Sequence, residues 1–134
     1  MTAKYATIKP DRDLNRRRFL DSLAIAHQIV DVLDQNKAEN IVLLDLRPDT
    51  VIADFFVICT ATSDRHIRAL ADYVREGVRD AFGKSPFSSE GTPESGWQLL
   101  DYGDVVVHIF QSEQRRYYDL EGLWRQANVM VKIQ

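Results

Sequence analysis

Apolar side chains along the first part of the chain recur every three or four positions and then give way to unbroken apolar runs. Residues 16–36 carry one helical stripe, made of Phe19, Leu23, Ala26, Val30 and Leu33. Such spacing places these side chains on one face of an α-helix. The runs at 41–44 (IVLL) and 55–59 (FFVIC) show no polar alternation, which is typical of strands covered on both faces. Between them, Arg47-Pro48-Asp49 predicts a turn.

A second helical stripe follows the second predicted strand. Its apolar positions are Ile67, Leu70, Ala71, Val74, Val78, Ala81 and Phe82. Thr62 or Ser63 can cap the first free amides of this helix, and Gly83 is suited to end it. Residues 83–96 then hold three of the six glycines and two of the four prolines. We therefore predict an exposed loop there, with a short edge strand near 87–89.

Residues 96–110 (GWQLLDYGDVVVHIF) predict a β-hairpin with two dissimilar faces. Its strands would run over 97–101 and 104–110, joined by a tight turn at Tyr102-Gly103. This turn predicts three cross-strand pairs: Leu100–Val105, Leu99–Val106 and Trp97–His108. One face is uniformly apolar, with Leu100, Val105, Val107 and Ile109. The other face combines Trp97, Leu99, Asp101, Asp104, Val106 and His108, a mixture that favours contact with another protein.

The predicted elements follow one another in the order α-β-β-α-β-β-β-α. The last helix is one or two turns between 113 and 126, and a final strand at 129–133 is left open. Short connections favour antiparallel strand pairs, and the second helix allows a crossover. We expect an α/β (α+β) fold in a single domain over 16–134, with a mixed sheet of about five strands packed with helices. Residues 1–15 are expected to form a flexible basic arm.

The composition is that of one globular domain. The chain has 134 residues, of which 45% are apolar, enough to fill a single core. No apolar run is long enough to span a bilayer, so no membrane partner is expected. The start of the chain lacks the apolar centre of a signal peptide. Cys59 is the single cysteine, which fits a reducing compartment. We therefore expect a cytoplasmic protein.

The charge is divided unevenly along the chain. Residues 1–18 contain six basic and two acidic side chains, whereas the remainder contains 11 basic and 18 acidic ones, for a formal net charge of −3. The acidic body argues against broad nucleic-acid binding and would attract a basic partner, of which ribosomal proteins are one class. The arm could touch RNA, although a solvated leader explains its charge more simply.

The sequence has few features that are typical of a catalytic or metal site. There is no glycine-rich phosphate loop. The three histidines (His27, His66, His108) and Cys59 lack metal-ligand spacing. Cys59 and His66 flank one strand-to-helix turn and could form a nucleophile pair, but an apolar buried cysteine is the simpler interpretation. Arg65 and His66 could contact an acidic or phosphorylated group, or could form an ordinary helix start, and both interpretations stay open.

Asp101 and Asp104 are the best carboxylate pair, because they bracket the hairpin turn. Carboxylates on neighbouring strand positions can hold Mg²⁺ for nucleotidyl transfer. Neither a Gly-Ser loop nor an Asp-x-Asp pair on one strand accompanies them. Acceptance of turn hydrogen bonds is the favoured explanation, although it leaves the neighbouring Trp97 and Leu99 unexplained.

Seven segments together resemble the ribosomal silencing factor family, also called Iojap-like. They are ADFFVICT (53–60), TSDRH (62–66), EG (90–91), GW (96–97), LDYGDVVVH (100–108), YDLE (118–121) and LW (123–124). The match covers roughly residues 17–126 in order and with the usual spacing, far more than a short-motif coincidence would give. One departure is Ala61, where the family commonly has glycine.

The resemblance implies a non-catalytic binding protein with nucleotidyltransferase-like topology and no cofactor. Members of the family bind the large ribosomal subunit through ribosomal protein number fourteen and prevent the small subunit from joining. They thereby repress translation when nutrients are scarce, and organellar relatives also act in large-subunit assembly. Members often form homodimers.

Matching positions imply contacts to the ribosomal protein from Glu90, Trp97, Tyr102 and Asp104. The hairpin geometry adds Leu99 and Asp101 to this set. No specific nucleic-acid partner is implied. A nucleotidyltransferase-like enzyme that uses Asp101 and Asp104 with Mg²⁺ remains the alternative.

Overall fold

Two long helices pack on one face of a six-stranded sheet in the computed structural model, which describes residues 2–47, 53–123 and 125–134. The elements in this part of the chain are α1 (Thr2–Gln35), β1 (Glu39–Asp45), β2 (Phe55–Ala61), α2 (Asp64–Phe82), β3 (Ser88–Thr92), a 3₁₀ turn (Pro93–Ser95), β4 (Trp97–Asp101), β5 (Val105–Gln111), α3 (Ser112–Tyr118), α4 (Leu120–Leu123) and β6 (Asn128–Ile133). None of the helices described is long and apolar enough to cross a membrane.

The sheet is mixed, as the sequence predicts. Its strand order is β3-β4-β5-β2-β1-β6. Strands β2 and β5 are parallel, and every other neighbouring pair is antiparallel. The expected count of about five strands is one too few, because β6 pairs with β1 and forms one edge of the sheet. The other edge, β3, lies at Ser88–Thr92 rather than at 87–89.

Helix α1 is longer than the apolar stripe predicts. It begins at Thr2 and ends at Gln35, so the backbone of residues 2–15 is helical and continuous with the predicted helix. Ala26, Val30 and Leu33 are buried as expected, while Phe19 and Leu23 pack at the margin of the core. The domain boundary between residues 15 and 16 stays a prediction. The predicted turn at Arg47-Pro48-Asp49 extends outside the described residues.

Helix α2 begins and ends as its sequence predicts. The hydroxyl of Ser63 accepts a hydrogen bond from the amide of His66, and Gly83 adopts a left-handed conformation at φ 66°. The amide of Gly83 donates to the carbonyl of Arg79 at 2.8 Å. Local capping chemistry is sufficient to set both ends of this helix.

Both faces of the sheet are covered near its centre. One core lies between the sheet and helices α1 and α2, and a smaller one lies on the opposite face. All seven residues of β2 are buried, which confirms the prediction for its apolar run. On the opposite face, Arg115 of α3 donates to the carbonyl of Asn40 at 2.6 Å and to the hydroxyl of Thr60 at 2.8 Å. These bonds fasten α3 to the sheet.

The hairpin formed by β4 and β5 has the predicted faces but a different register. The turn is centred on Gly103-Asp104, since the amide of Tyr102 donates to the carbonyl of Val105 at 2.9 Å. The observed pairs are Leu100–Val107, Leu99–His108 and Trp97–Phe110, so the three predicted pairs are wrong by two residues. A shift of two preserves the side of the sheet on which each side chain lies. Leu100, Val105, Val107 and Ile109 accordingly all face the helix-covered core.

Candidate partner-binding surface

The register of β3, β4 and β5 brings four of the predicted contact residues onto one face. Glu90 pairs with Leu99, which pairs in turn with His108, and paired residues project to the same side of a sheet. Trp97 and Asp101 lie two positions either side of Leu99 and therefore share its face. We call the set Glu90, Trp97, Leu99 and Asp101 the hairpin surface. It lies on the face opposite α1 and α2.

Asp104 lies on the other side of the hairpin turn, which corrects its predicted place on the mixed face. Its carboxylate accepts two hydrogen bonds from the guanidinium of Arg18, at 3.0 and 2.8 Å, and one from the hydroxyl of Ser22 at 3.1 Å. The hydrogen bonds from Arg18 hold the pKa of Asp104 below its usual range. Asp104 therefore ties the turn to α1.

Tyr102 also lies away from the hairpin surface. Its ring packs against the helix-covered core, and burial raises the pKa of its hydroxyl to about 12. The structure thus divides the six predicted contact residues into four on the hairpin surface and two at the turn, on the side of the helix-covered core.

The indole of Trp97 is held in place by a cluster of rings. It stacks on Phe110 at a centroid distance of 5.8 Å and contacts Tyr118 of α3 at 5.1 Å. Its Nε1 donates to Nδ1 of His108 at 3.3 Å. The indole is half-buried, so it combines an accessible edge with a fixed orientation. A side chain ordered in this way loses little entropy when a partner covers it.

His108 lies next to this indole and is only 4% exposed. Burial lowers its pKa to about 4, so the ring is neutral at pH 7. Because Nδ1 accepts from Trp97, the ring proton is assigned to Nε2. The ring also contacts Phe56 edge-on at 4.7 Å. His108 therefore acts as a support for Trp97 and not as an accessible part of the surface.

The acidic side chains flank the apolar centre of the hairpin surface. Glu90 is exposed, and Asp101 is half-exposed. One oxygen of Asp101 accepts the amide of Gly103 at 2.7 Å, which is the turn hydrogen bond expected from the sequence. Among the described residues neither carboxylate forms a salt bridge. Both charges are therefore available to a basic partner.

The sequence alone does not mark two residues of the ring cluster as part of the surface. Phe110 lies in a predicted strand, and Tyr118 lies in the YDLE motif. The corrected register, which pairs Phe110 with Trp97, is the information that was missing. Trp124, which belongs to the last matching motif, lies outside the described residues.

The catalytic interpretations gain no support from the geometry. The thiol of Cys59 is 0% exposed, and burial raises its pKa to about 12. Nδ1 of His66 accepts the amide of Thr62 at 3.0 Å, and its Nε2 lies 3.1 Å from the carbonyl of Asn36. His66 thus joins the end of α1 to the start of α2, as in an ordinary helix start.

The carboxylate pair fails for a separate reason. Asp101 and Asp104 lie on opposite sides of the hairpin, and both oxygens of Asp104 already accept hydrogen bonds from Arg18. Within the described ranges no group of three or more His, Cys, Asp or Glu side chains is placed to hold a metal ion.

Comparison with known proteins decides the family. The family model described as "Ribosomal silencing factor during starvation" matches residues 20–134. The chain belongs to this family. It is 40% identical over 94 residues to the ribosomal silencing factor of Bacillus subtilis, covering 70% of this chain and 79% of that protein.

Two further proteins resemble the chain, one in its solved structure and one in its sequence. A crystal structure of a Chromobacterium violaceum protein superimposes with a TM-score of 0.72 at 33% identity, covering 77% of this chain and 85% of that one. A mouse protein named "Mitochondrial assembly of ribosomal large subunit protein 1" is 33% identical over 98 residues, covering 72% of this chain and 43% of that protein.

Proposed function

We propose that this chain binds the large ribosomal subunit, with ribosomal protein number fourteen as its contact, and prevents the small subunit from joining. The outcome is repression of translation in the cytoplasm when nutrients are limiting. Family membership supports a ribosomal partner. The name of the mouse relative refers to the large subunit, which supports the choice between the two subunits.

The observation that carries this proposal is the hairpin surface. Its centre is apolar, because Trp97 and Leu99 are half-buried side chains on one strand. Its margins are acidic, because Glu90 and Asp101 lie on the same face. An apolar centre with a charged rim is the usual anatomy of a protein interface. The acidic rim suits a basic ribosomal protein and would mainly raise the rate of encounter.

The proposed mechanism needs no chemistry. The hairpin surface docks on the ribosomal protein, and the remainder of the domain occupies space that the small subunit requires. Glu90, Trp97, Leu99 and Asp101 make the contact. Asp104 contributes by holding the hairpin turn against α1, and Tyr102 contributes by packing against the helix-covered core. A homodimer, which the family resemblance implies, stays a prediction that sedimentation equilibrium would test.

Replacement of Trp97 by alanine tests the apolar centre. We expect the large subunit to be bound about 30-fold more weakly, because a central interface aromatic contributes about 2 kcal/mol or more. Co-sedimentation with separated subunits measures this. Tyr73→Ala is the matched control, since Tyr73 is an exposed aromatic residue on α2. Subunit binding that is equally strong in both variants would contradict the proposal.

Because Trp97 is half-buried, a second variant keeps the test independent of folding. Glu90→Lys reverses an exposed charge on the hairpin surface, and Glu76→Lys makes the same change on exposed α2. We expect only Glu90→Lys to slow association with the large subunit and to reduce its salt dependence. Thermal unfolding of both variants should match that of the unmodified protein.

A further inference from the structure

Residues 13–18 of α1 lie at the surface of the domain. Every residue from Asp13 to Arg18 is exposed, and burial along the helix begins with Phe19 and Ser22. Leu14 is 59% exposed, so this stretch has no covered apolar side. In a helix, exposure at six consecutive positions means that the whole circumference is open to solvent. Residues 13–18 therefore lie outside the packed body of the domain.

This exposed stretch is basic. Residues 13–18 hold three arginines and one aspartate. Arg16 and Arg17 are exposed, and within the described residues neither has a hydrogen-bonding or acidic partner. Arg18 is different, because it is paired with Asp104. Unpaired cations on an exposed helix interact most strongly with a partner of opposite charge.

An open groove lies beside this exposed stretch of α1. Its volume is about 460 Å³, and it lies between α1 and Lys84 at the end of α2. Arg17 and Lys84 line it, and neither forms a hydrogen bond or a salt bridge to a described residue. The charge of Lys84 also interacts with the carboxylate of Asp104. Two carboxylates also line it: Asp104, whose oxygens are occupied by Arg18 and Ser22, and the exposed Asp21. The charge that remains available in the groove is positive.

We propose that the basic ridge formed by Arg16, Arg17 and Lys84 binds the phosphodiester backbone of RNA. Arg16 and Arg17 lie on the exposed stretch of α1, and Lys84 lines the same groove as Arg17. Cations that come from two separate elements suit a chain of phosphates better than one small anion. Leu14 is the single apolar side chain among residues 13–18, so this stretch lacks the broad apolar face that a membrane-surface helix requires.

The ridge binds RNA without reading its sequence. Lysine and arginine side chains that contact phosphates position a protein but carry no sequence information. Binding should therefore depend strongly on salt and hardly at all on base composition.

The position of the ridge connects it with the proposed docking, and this step rests on the proposed function. The Arg18–Asp104 pair joins α1 to the turn of the same hairpin that carries the hairpin surface. A domain docked on a ribosomal protein would thus direct the ridge to one side of that protein. Ribosomal RNA is the polyanion available in this place.

The test uses the full chain and a fluorescently labelled 20-base-pair RNA duplex of arbitrary sequence. The ridge variant is Arg16→Gln with Arg17→Gln and Lys84→Gln. The matched control is Arg116→Gln with Arg125→Gln and Lys132→Gln, which removes the same charge at three exposed basic residues outside the groove. Binding is measured by anisotropy over a range of salt concentrations.

We expect the ridge variant to bind at least about tenfold more weakly at low salt, and the slope of log affinity against log salt to fall by about 2 to 3. The control should bind like the unmodified chain. Equal loss in ridge variant and control would overturn the proposal, since net charge alone would then explain binding. Absence of RNA binding by the unmodified chain would also overturn the proposal. If the ridge variant then bound the large subunit more weakly, the partner of the ridge would be an acidic protein.

Trp97→Ala separates this proposal from the proposed function. The variant should keep its affinity for the RNA duplex while it loses affinity for the large subunit. If the unmodified chain binds the duplex through the ridge but not the large subunit, the docking proposal fails and the ridge proposal stands.

Discussion

At the scale of single residues, Trp97 and His108 depend on each other. The indole Nε1 donates to Nδ1 of the imidazole at 3.3 Å, and the two rings stack nearly parallel at 6.1 Å. The bond requires an unprotonated Nδ1, because a charged imidazole has no acceptor nitrogen. Burial of His108 provides that condition. A buried neutral histidine thus orients the aromatic side chain at the centre of the hairpin surface.

The same burial makes stability sensitive to mild acid. Burial lowers the pKa of His108 from 6.5 to about 4, so between these values the unfolded chain binds a proton that the folded chain excludes. Proton uptake therefore favours unfolding as the pH falls. We expect this residue alone to reduce the free energy of unfolding by about 2 kcal/mol between pH 7 and pH 5. Urea titrations at both pH values measure the loss.

His108→Gln is the control for this prediction. Glutamine retains an acceptor for the indole but does not titrate. The difference between the two pH values should be smaller in this variant by about 2 kcal/mol. An identical pH dependence in the two proteins would show that His108 is not the titrating group.

At the scale of elements, the hairpin surface depends on two attachments of the β4–β5 hairpin. Asp104 ties its turn to α1 through Arg18 and Ser22. Strand β3 then extends the sheet beside β4 and contributes Glu90. The second attachment requires Gly91, which has a φ of 76° and whose missing Cβ would collide with the carbonyl oxygen of Trp97. A backbone oxygen within a strand cannot move aside.

Replacement of Gly91 by alanine should therefore detach β3. We expect a loss of about 3 kcal/mol, because backbone strain and a steric clash act together. Gly83→Ala is the matched control, since Gly83 has a similar φ of 66° with open space around its missing Cβ. It should lose only about 1 kcal/mol.

Hydrogen exchange resolves where the damage lies. In Gly91→Ala the amides paired between β3 and β4 should exchange faster, while those of α2 keep their protection. Equal destabilisation by the two substitutions would mean that strain alone, and not the approach to Trp97, restricts position 91.

At the scale of the whole molecule, β6 completes the sheet from the far end of the chain. It pairs with β1. Without β6, the apolar strand β1 would be an open edge of the sheet. Val131 and Ile133 pack against the helix-covered core, whereas Met130 and Lys132 are exposed. Neighbouring residues of β6 therefore alternate between contact with the core and exposure to solvent.

Paired substitutions in β6 test how this strand contributes to stability. Val131→Ala with Ile133→Ala should lower the free energy of unfolding by about 2 to 3 kcal/mol, because both side chains fill the margin of the core. Met130→Ala with Lys132→Ala should cost less than about 1 kcal/mol. Chemical denaturation of the two double variants makes the comparison. Similar losses would mean that β6 does not bury alternate residues.

The sequence predicts some parts of this structure well because neighbouring residues encode them. The buried stripe of α1, the cap at Ser63 and the end of α2 at Gly83 all depend on residues within a few positions of each other. The two faces of the hairpin are equally local, since side chains alternate along a strand. The predicted register is wrong because Gly103 can occupy either position of a two-residue turn. Only packing of the complete sheet selects one of these two positions.

The candidate site shows the same division. Alternation along β4 was enough to group Trp97, Leu99 and Asp101, and the β3–β4 register then added Glu90. The sequence did not show that Asp104 is held by Arg18, since the two residues lie 86 positions apart. The sequence places His108 on the mixed face but does not show that its ring is buried. That burial depends on the strand order, which brings Trp97 and Phe56 next to the ring.

The sequence by itself determined the buried stripe of α1, helix α2, the buried strands, the two faces of the hairpin and the resemblance to the family. These features depend on periodicity and motifs, which can be read from adjacent positions. Only the tertiary structure decided that β6 pairs with β1, that the acidic pair is split across the hairpin and that Arg17 of α1 lies in one groove with Lys84. Such features require residues far apart in the chain to meet, and local pattern carries no information about which of them do.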